Sequence, residues 1–316
     1  MDGVINIYKP QGMTSFSCVS RVRRLTNTQK AGHAGTLDPQ ASGVLPVCLG
    51  KATKCADLFL NLSKRYRGEI TFGMRTDTCD IWGNPIEKLD PGDERLRNLD
   101  REAVAGAAKR FGGEITQIPP DYAAVKIGGV PAYKLARQGK QFEMRSRTVT
   151  IYEIAVLDFC KDAGPYPKAV IDVTCSKGTY IRSLFRDLGD VLGTYACMSG
   201  LERTQYGFME IADSVTLEQL ETTARIPLYP IDFLLKEYPF IILDPTEERL
   251  YRNGIRVRIP EARGRVKGAL EDGMPVRVYT QEKRLLAAAK IILHEDHTLE
   301  LKPDKFFDCG EVLCFE

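Results

Sequence analysis

The sequence predicts an α+β protein in which a mixed sheet flanked by helices is followed by a small, separate β-domain. Over residues 1–226, strand-like and helix-like segments alternate without a strict strand–helix–strand repeat, which favours a mixed sheet over a parallel one. Pro227, Pro230 and Pro239 then suggest a boundary, and short apolar segments separated by glycine turns follow it. We therefore expect one domain at residues 1–238 and a second at 239–316.

The composition indicates a folded, cytoplasmic protein. With 43% hydrophobic and 27% charged residues among 316, the chain is neither disordered nor collagen-like. Its purely apolar stretches are too short to span a membrane, and Met1-Asp2-Gly3 lacks the start of a secretory signal. The nine cysteines are scattered, which suits reduced thiols, and none lies in a zinc-binding spacing. We expect no structural metal.

Basic residues are concentrated in two segments although the net charge is only +2. Residues 1–80 contain 11 basic and six acidic side chains. Residues 249–267 contain seven basic side chains against Glu261 alone: Arg249, Arg252, Arg256, Arg258, Arg263, Arg265 and Lys267. This distribution is compatible with a polyanionic partner, and a solvated basic surface is the alternative.

Local patterns predict the individual elements in chain order. In the first part, apolar periodicity and turn residues predict strands at 4–8, 44–49 and 64–72, a helix capped by Ser15 or Ser17, and a helix at 100–111. Residues 118–149 are less regular, with a short helix at 132–138 ended by Gly139. Further on, we expect strands at 147–157 and 169–174, a turn at 176–178, a helix to about 188 and another at 217–223. In the second domain, strands are expected at 256–259, 275–279, 285–292 and 298–301.

Asp38 lies in the stretch of the chain that is richest in glycine and proline. The nearby glycines permit unusual backbone angles, and Pro39 favours an extended conformation at Asp38. We therefore expect its carboxylate to project from a stiff loop, although an aspartate that only caps the next turn is the alternative. His33 is the only histidine in the first 293 residues, so it is either the one candidate for histidine chemistry there or a polar loop residue.

Three further side chains are candidates for binding or chemistry. Tyr66, flanked by cations, suits stacking on a base with phosphate contacts alongside, whereas an outward tyrosine on an edge strand is the alternative. Tyr180 and Arg182 are two residues apart, so on a strand they would share a face. An arginine beside a buried aspartate favours the ionised carboxylate that a nucleophile or base requires, and an ordinary salt bridge is the alternative.

Five sequence blocks together resemble the bacterial TruB family of tRNA pseudouridine synthases. Their order and spacing cover nearly all of residues 1–205, and the Gly-His-x-Gly-Thr-Leu-Asp-Pro pattern is highly specific. The blocks are Lys9-Pro10-Gln11-Gly12-Met13-Thr14-Ser15; Gly32-His33-Ala34-Gly35-Thr36-Leu37-Asp38-Pro39 with residues 41–46; Lys64-Arg65-Tyr66 with Gly73 and Thr76-Asp77-Thr78-Cys79-Asp80; Pro119-Pro120 through residues 133–137; and Ser176-Lys177-Gly178-Thr179-Tyr180-Ile181-Arg182-Ser183-Leu184.

The resemblance implies a pseudouridine-synthase fold with an RNA-clamping insertion at about 118–149 and a C-terminal PUA-like β-barrel. It also implies an isomerase that converts uridine 55 in the T-loop of tRNA to pseudouridine by base flipping and an aspartate-dependent rearrangement of the glycosidic bond. Such a reaction needs no cofactor, and the sequence contains no nucleotide-binding fingerprint. The implied partner is the T-arm of tRNA, with no guide RNA or obligate protein partner, and a monomer is expected.

The family's residue roles transfer to matching positions of this chain. The catalytic set is the essential aspartate at Asp38, the tyrosine that stacks on the target uracil at Tyr66, the tyrosine near C5 of the base at Tyr180, and the arginine that pairs with the aspartate at Arg182. The substrate-binding set is His33 for the T-loop, Leu201 for the uracil pocket, Lys9 and Pro10 for pocket support, and Lys64 and Arg65 beside the stacking tyrosine.

One departure from the family pattern is visible, and two other functions remain open. Ala123 stands where the family commonly has serine, which puts one hydrogen bond to RNA in doubt. The first alternative function is an RNA-binding or RNA-folding protein whose catalytic residues are idle. The second is a catalytic subunit that needs a guide RNA and partners, as in the archaeal and eukaryotic relatives, and the insertion at 118–149 argues against it.

Overall fold

The computed structural model describes residues 1–259, 266–267, 271–295 and 298–307. Its first part contains the strands β1 (Gly3–Lys9), β2 (Ala31–His33), β3 (Ser42–Leu49), β4 (Lys64–Phe72), β5 (Met74–Thr76), β6 (Pro85–Lys88), β7 (Gly113–Gln117), β8 (Lys126–Ile127), β9 (Val130–Pro131), β10 (Arg147–Cys160), β11 (Lys168–Cys175), β12 (Ala196–Tyr206) and β13 (Met209–Glu210). The helices are α1 (Ser15–Leu25), α2 (Ala56–Phe59), α3 (Glu94–Arg97), α4 (Arg101–Lys109), α5 (Ala132–Arg137), α6 (Ile181–Leu192), α7 (Leu217–Thr222) and α8 (Ile231–Leu234), with 3₁₀ turns at Gly50–Cys55 and Ile211–Asp213.

A nine-stranded mixed sheet forms the centre of this part. Its main order is β1-β3-β12-β4-β11-β10-β7, with β2 added to β3 and β13 added to β12. The β3–β12 pair is parallel and the other pairs are antiparallel. Because β4 lies between β12 and β11, Tyr66 is on an interior strand, and the alternative of an edge-strand tyrosine is wrong.

The helices cover the sheet through their apolar faces. In α6, Ile181, Leu184, Phe185 and Leu188 recur at helical spacing and are buried against the strands β4, β11 and β12 together with α4. A second core joins α1 and α7 to β1 and β3. The side chains of Tyr66 and Leu201 pack against both cores. The part of the sheet that carries them therefore lies between helices α4 and α6 on one side and helices α1 and α7 on the other.

Every strand and helix expected in this part is present, but the cap of α1 differs and several elements were not expected, among them β7 and β12 of the central sheet. The cap of α1 is Thr14, whose Oγ1 accepts a hydrogen bond from the Ser17 amide at 3.0 Å, and not Ser15 or Ser17. The interior strand β12 was not expected from the sequence. Its register shifts between Met198 and Gly200 and again near Arg203, and such bulges interrupt the period-two pattern that reveals a strand.

The C-terminal part is a curled, half-barrel sheet of six strands. Its elements are β14 (Phe240–Ile242), α9 (Pro245–Arg252), β15 (Val257–Ile259), β16 (Val266–Lys267), β17 (Pro275–Tyr279), β18 (Leu285–Leu293) and β19 (Leu299–Phe306). One hydrophobic core is shared between this part and the first, and it includes Phe59, Ile231, Phe240 and Leu285. The boundary at 238/239 stays a prediction.

Some of the expected features fall on residues outside the described ranges. These are Arg263 and Arg265 of the basic run, Gly264 and Gly268, His297, Cys309 and Cys314. The seven described cysteines are free thiols. Across the described residues, none of the helices combines the length and the apolar character that crossing a lipid bilayer would require.

Gly43 is a position where we expect alanine to destabilise the fold strongly. Its φ is +101°, and a Cβ there would lie 2.3 Å from the Arg203 carbonyl oxygen, at the parallel β3–β12 contact. We expect Gly43→Ala to lower the free energy of unfolding by about 2 kcal/mol or more in urea titrations. Gly106→Ala is the matched control, because there is open space around this position of α4. The change should raise the free energy of unfolding by about 0.5–1 kcal/mol. Equal effects at both sites would contradict this account.

Candidate active site

A cavity of about 940 Å³ opens over the part of the central sheet that carries Tyr66 and Leu201. Its walls come from four places: the loop that carries Asp38, strand β4, the turn that precedes α6, and the segments 124–128 and 143–148 of the insertion. Asp38, Tyr66, Tyr180 and Arg182 all line this one cavity. The structure therefore brings together side chains that are up to 144 positions apart in the chain.

The loop around Asp38 is held from both sides by hydrogen bonds. Ser15 Oγ donates to the carbonyl of Leu37 at 3.0 Å and accepts from the Leu37 amide at 2.9 Å. Buried Lys9 donates from Nζ to the carbonyl of Pro39 at 3.3 Å and to that of Met13 at 2.7 Å. Burial lowers the pKa of Lys9 to about 8. These contacts hold the backbone on both sides of Asp38 and stiffen the loop that carries it.

Arg182 is the buried cation that faces Asp38. Its Nε lies 2.9 Å from Asp38 Oδ2, and its Nη1 lies 3.6 Å from Asp80 Oδ2. The guanidinium also donates to the carbonyls of Thr78 at 3.1 Å and Tyr122 at 3.2 Å. A planar group with several donors suits this arrangement, because one side chain then links two carboxylates and two segments of backbone.

Asp80 is a second carboxylate at the site, and its role was not apparent from the sequence. It accepts a hydrogen bond from Thr78 Oγ1 at 2.7 Å, and burial raises its pKa. Asp80 contacts a different nitrogen of the Arg182 guanidinium from the one that Asp38 contacts. We infer that Asp80 orients the arginine and does not itself react.

If the chain has the activity that the family resemblance implies, replacing Asp80 should slow the reaction without weakening RNA binding. In Asp80→Asn the volume is retained but the charge that orients Arg182 is lost, so we expect a fall of about tenfold to a hundredfold in the single-turnover rate. Rapid-quench kinetics at saturating RNA measures this rate, and a filter-binding titration supplies the affinity. A wild-type rate in this variant would show that Asp80 is dispensable.

Tyr66 forms an aromatic part of the cavity wall, and the buried side chain of Arg203 lies beside it. Arg203 opposes Tyr66 in the β12–β4 register, and its positive charge acts on the Tyr66 phenol. The same guanidinium donates to the carbonyls of Val44 at 2.7 Å and Gly35 at 3.1 Å, and it lies 5.0 Å from the Tyr206 ring centroid. Burial raises the pKa of Tyr66, so its phenol is neutral at physiological pH. Arg203 thus lies between Tyr66 and the loop that carries Asp38.

Tyr180 reaches the cavity in a way that differs from the expected strand geometry. Helix α6 begins at Ile181, so Tyr180 is the N-cap residue and Arg182 lies in the first helical turn. The expectation that the two residues share the face of a strand is wrong. They meet because a residue just before a helix and one in its first turn both lie at the helix start, which here faces the cavity. Burial raises the pKa of Tyr180 as well.

The residues around Tyr66 are divided between the two faces of the sheet. Lys64 lines the cavity, but its buried Nζ donates to the carbonyls of Leu60, at 2.8 Å, and Leu62. Burial lowers the pKa of Lys64 to about 8. Arg65 lies on the opposite face, where its Nε contacts Asp172 Oδ1 at 2.6 Å. Side chains alternate along a strand, so Arg65 cannot share the cavity with Tyr66.

The other expected binding residues lie around the cavity and not in its wall. Leu201 shares the face of Tyr66, because it is two residues from Arg203 on β12. His33 ends β2, and its Nδ1 is buried without a hydrogen-bond partner among the described residues. Burial lowers the pKa of His33, which keeps the ring neutral. Pro10 follows β1, and its carbonyl accepts from Lys9 Nζ at 2.9 Å.

The chain is similar to a set of known proteins along nearly its whole length. A family model described as "TruB family pseudouridylate synthase (N terminal domain)" matches residues 23–181, and "tRNA pseudouridylate synthase B C-terminal domain" matches residues 182–231. The tRNA pseudouridine synthase B of Clostridioides difficile is 40% identical over 314 residues, covering 97% of this chain and 100% of that protein. The enzyme of the same name from Symbiobacterium thermophilum is 48% identical over 220 residues, covering 70% of this chain and 71% of that protein.

Solved structures show the same fold. A chain in an H/ACA RNP bound to a substrate RNA containing 2′-deoxyuridine superposes with a TM-score of 0.71 at 25% identity, covering 97% of this chain and 85% of that chain. A chain of a Cbf5-Nop10-Gar1 complex superposes with a TM-score of 0.70 at 27% identity, covering 96% of this chain and 84% of that chain. The fold, with its mixed sheet and PUA-like C-terminal part, is that of a pseudouridine synthase, a class of RNA isomerases. Within that class, the chain belongs to the TruB family.

Proposed function

We propose that this protein isomerises uridine 55 in the T-loop of tRNA to pseudouridine. The observation that carries the proposal is the Asp38–Arg182 ion pair of 2.9 Å in a cavity that is also lined by Tyr66 and Tyr180. The relatives named tRNA pseudouridine synthase B support the choice of tRNA as the substrate. The T-loop and the position of the uridine follow from the family resemblance.

The reaction breaks the N1–C1′ bond of the uridine, turns the uracil and joins it to the ribose through C5. Nothing is oxidised or hydrolysed, so the chemistry can be carried by side chains alone. Asp38 can attack C1′, add to C6 or take the 2′ proton, and each route needs an ionised carboxylate. Arg182 supplies the opposite charge to this carboxylate, because its buried guanidinium lies 2.9 Å from Asp38 Oδ2.

Access to C1′ requires the nucleotide to leave its stack, which costs roughly a few kcal/mol. Stacking of the flipped base on an aromatic ring is favourable by about 1–3 kcal/mol and offsets part of this cost. Tyr66 is the ring we assign to this role, with Leu201 on the same face of the sheet as an apolar neighbour. Tyr180, which lines the same cavity, is the residue we assign to assist removal of the C5 proton. In this scheme Lys9, Pro10 and Lys64 support the pocket and His33 contacts the T-loop.

We also propose how the whole chain acts. Residues 1–238 form the catalytic domain and residues 239–316 an RNA-binding module, and the protein works as a cytoplasmic monomer without guide RNA. The insertion supports direct binding of tRNA, because its segments 124–128 and 143–148 supply one wall of the cavity. Arg65, which faces away from the cavity, is left without a part in holding the flipped nucleotide.

Tritium release tests this function. Unmodified tRNA transcript, labelled with tritium at C5 of its uridines, is incubated with purified protein and no cofactor. We expect release that approaches one proton per tRNA, because the C5 proton is lost when the new bond forms. A transcript with cytidine at position 55 is the control and should release none. Tight binding without release would favour the RNA-folding role, and release only after guide RNA is added would favour the guided subunit.

Binding of tRNA should weaken steeply as salt is raised. Each phosphate contacted by Lys or Arg releases counterions, which gives a slope of log affinity against log salt of about −0.7 to −0.9 per contact. The cavity is lined by seven basic and two acidic side chains, so we expect several such contacts. Filter binding at a series of KCl concentrations measures the slope. An affinity that does not change with salt would contradict direct recognition of the RNA backbone.

A further inference from the structure

Two residues at the root of the insertion hold Tyr180 in place. Gln117 is the last residue of β7 and Arg147 is the first of β10, and the two are directly opposite each other in the antiparallel pair. Residues 118–146, most of the insertion, leave the sheet and return to it at this pair. The covalent connection between the insertion and the sheet therefore passes through Gln117 and Arg147.

Gln117 binds the backbone of Tyr180 on both sides. Its Oε1 accepts from the Tyr180 amide at 2.8 Å, and its Nε2 donates to the Tyr180 carbonyl at 3.0 Å. Gln117 is only 1% exposed, so these two hydrogen bonds are shielded from water. The side-chain amide thereby fixes the main chain of Tyr180 just before α6 begins.

Arg147 holds the ring of the same tyrosine. Its guanidinium carbon lies 5.3 Å from the Tyr180 ring centroid, within the range of a cation–π contact. The turn that precedes Tyr180 passes close by, since a Cβ on Gly178 would lie 3.4 Å from Arg147 Nη1. The ring is thus held against the guanidinium, while Gln117 fixes its backbone.

The Arg147 guanidinium still has hydrogen-bonding capacity. Its Nε is buried without a hydrogen-bond partner, and the side chain makes no ion pair with any residue in the described ranges. A cationic side chain that lines a cavity without a protein partner is suited to bind an anion there. Arg147 lines the cavity, where basic side chains outnumber acidic ones, and the acidic groups present are Asp38, which pairs with Arg182, and Glu143.

We propose that Arg147 binds a phosphodiester of the RNA strand next to the flipped nucleotide and, through its contact with the ring, positions Tyr180 for the reaction. This inference rests on the proposed function, because it assumes that the strand in the cavity is the substrate. A planar guanidinium suits both tasks, since its edge can donate to two phosphate oxygens while its face lies on an aromatic ring. RNA bound at the insertion and the geometry of the catalytic tyrosine are thereby coupled through one side chain.

Two substitutions separate the two tasks of Arg147. In Arg147→Met both are lost, so we expect the slope of log affinity against log salt to fall by about 0.7–0.9. The single-turnover rate at saturating tRNA should also fall, by roughly fivefold to tenfold, because the ring is no longer held. In Arg147→Lys the charge remains, so the salt slope should stay near that of the wild type while the reduced rate persists. Arg110→Met, on the exposed end of α4, is the control for loss of one positive charge.

The outcomes distinguish this inference from the proposed function. A wild-type salt slope in Arg147→Met would overturn the phosphate contact, and a wild-type rate in Arg147→Lys would overturn the positioning of Tyr180. Thermal unfolding of each variant verifies that the fold is retained. The binding slopes do not depend on turnover. If the wild-type protein released no tritium, the proposed function would fail while the phosphate contact could still be measured.

Discussion

Asp38→Asn should abolish pseudouridine formation while leaving tRNA binding largely intact. The change keeps the size of the side chain and removes the charge that all three possible roles of Asp38 require. Because the group acts at the reacting atoms, we expect the rate of tritium release to fall by about a thousandfold or more. Single-turnover kinetics with excess enzyme measures this fall, and filter binding measures the affinity.

The exposed ion pair between Asp93 and Arg95, 2.8 Å long, supplies the matched control. Asp93 caps a short helix far from the cavity, and asparagine is an equally good cap, so Asp93→Asn should react at the wild-type rate. If Asp38→Asn lost tRNA binding together with activity, the carboxylate would be structural and the proposed mechanism would be wrong.

Arg182→Lys should damage both stability and catalysis although it retains the positive charge. The guanidinium contacts Asp38, Asp80 and two backbone carbonyls, and a lysine ammonium cannot reach all four. One partly buried carboxylate and two partly buried carbonyls would be left without that partner. We expect the free energy of unfolding to fall by about 3 kcal/mol, the low end for a broken buried pair because Asp38 is 40% exposed.

The same change should lower the single-turnover rate by about a hundredfold, because the charge opposite Asp38 is no longer fixed in direction. Urea denaturation and tritium release measure the two effects. Arg95→Lys is the control: as part of an exposed pair, it should cost less than about 0.5 kcal/mol and leave the rate unchanged. Wild-type turnover in Arg182→Lys would show that a point charge is sufficient.

Some of the agreement between sequence and structure depends on local signals. The helices α1, α4 and α6 and the strands β1, β3 and β4 could be predicted because their apolar spacing and end residues are encoded within a few positions. The stiff loop at Asp38 was predictable for the same reason, since Pro39 and the neighbouring glycines act on the adjacent backbone.

Other features depend on contacts between distant residues. Strand β12 was missed because its bulges interrupt the alternating pattern, and without it the partner of Tyr66 could not be known. Arg203, which lies between Tyr66 and the Asp38 loop, is an ordinary arginine in the sequence. The convergence of Tyr180 and Arg182 was expected for the wrong reason, since a helix and not a strand brings them together.

The sequence by itself determined the family, the candidate site residues and many of the local elements, because each depends on residue types at short, regular spacing. Only the tertiary structure decided which of those side chains meet. The packing of the sheet decided that the face of β4 with Tyr66 lines the cavity, and Arg65 therefore lies on the opposite face. Packing brought Asp80 into contact with Arg182. The root of the insertion brought Gln117 to the backbone of Tyr180 and Arg147 to its ring. The physical reason is that such contacts join residues tens of positions apart, and local patterns do not specify which distant partner a side chain will have.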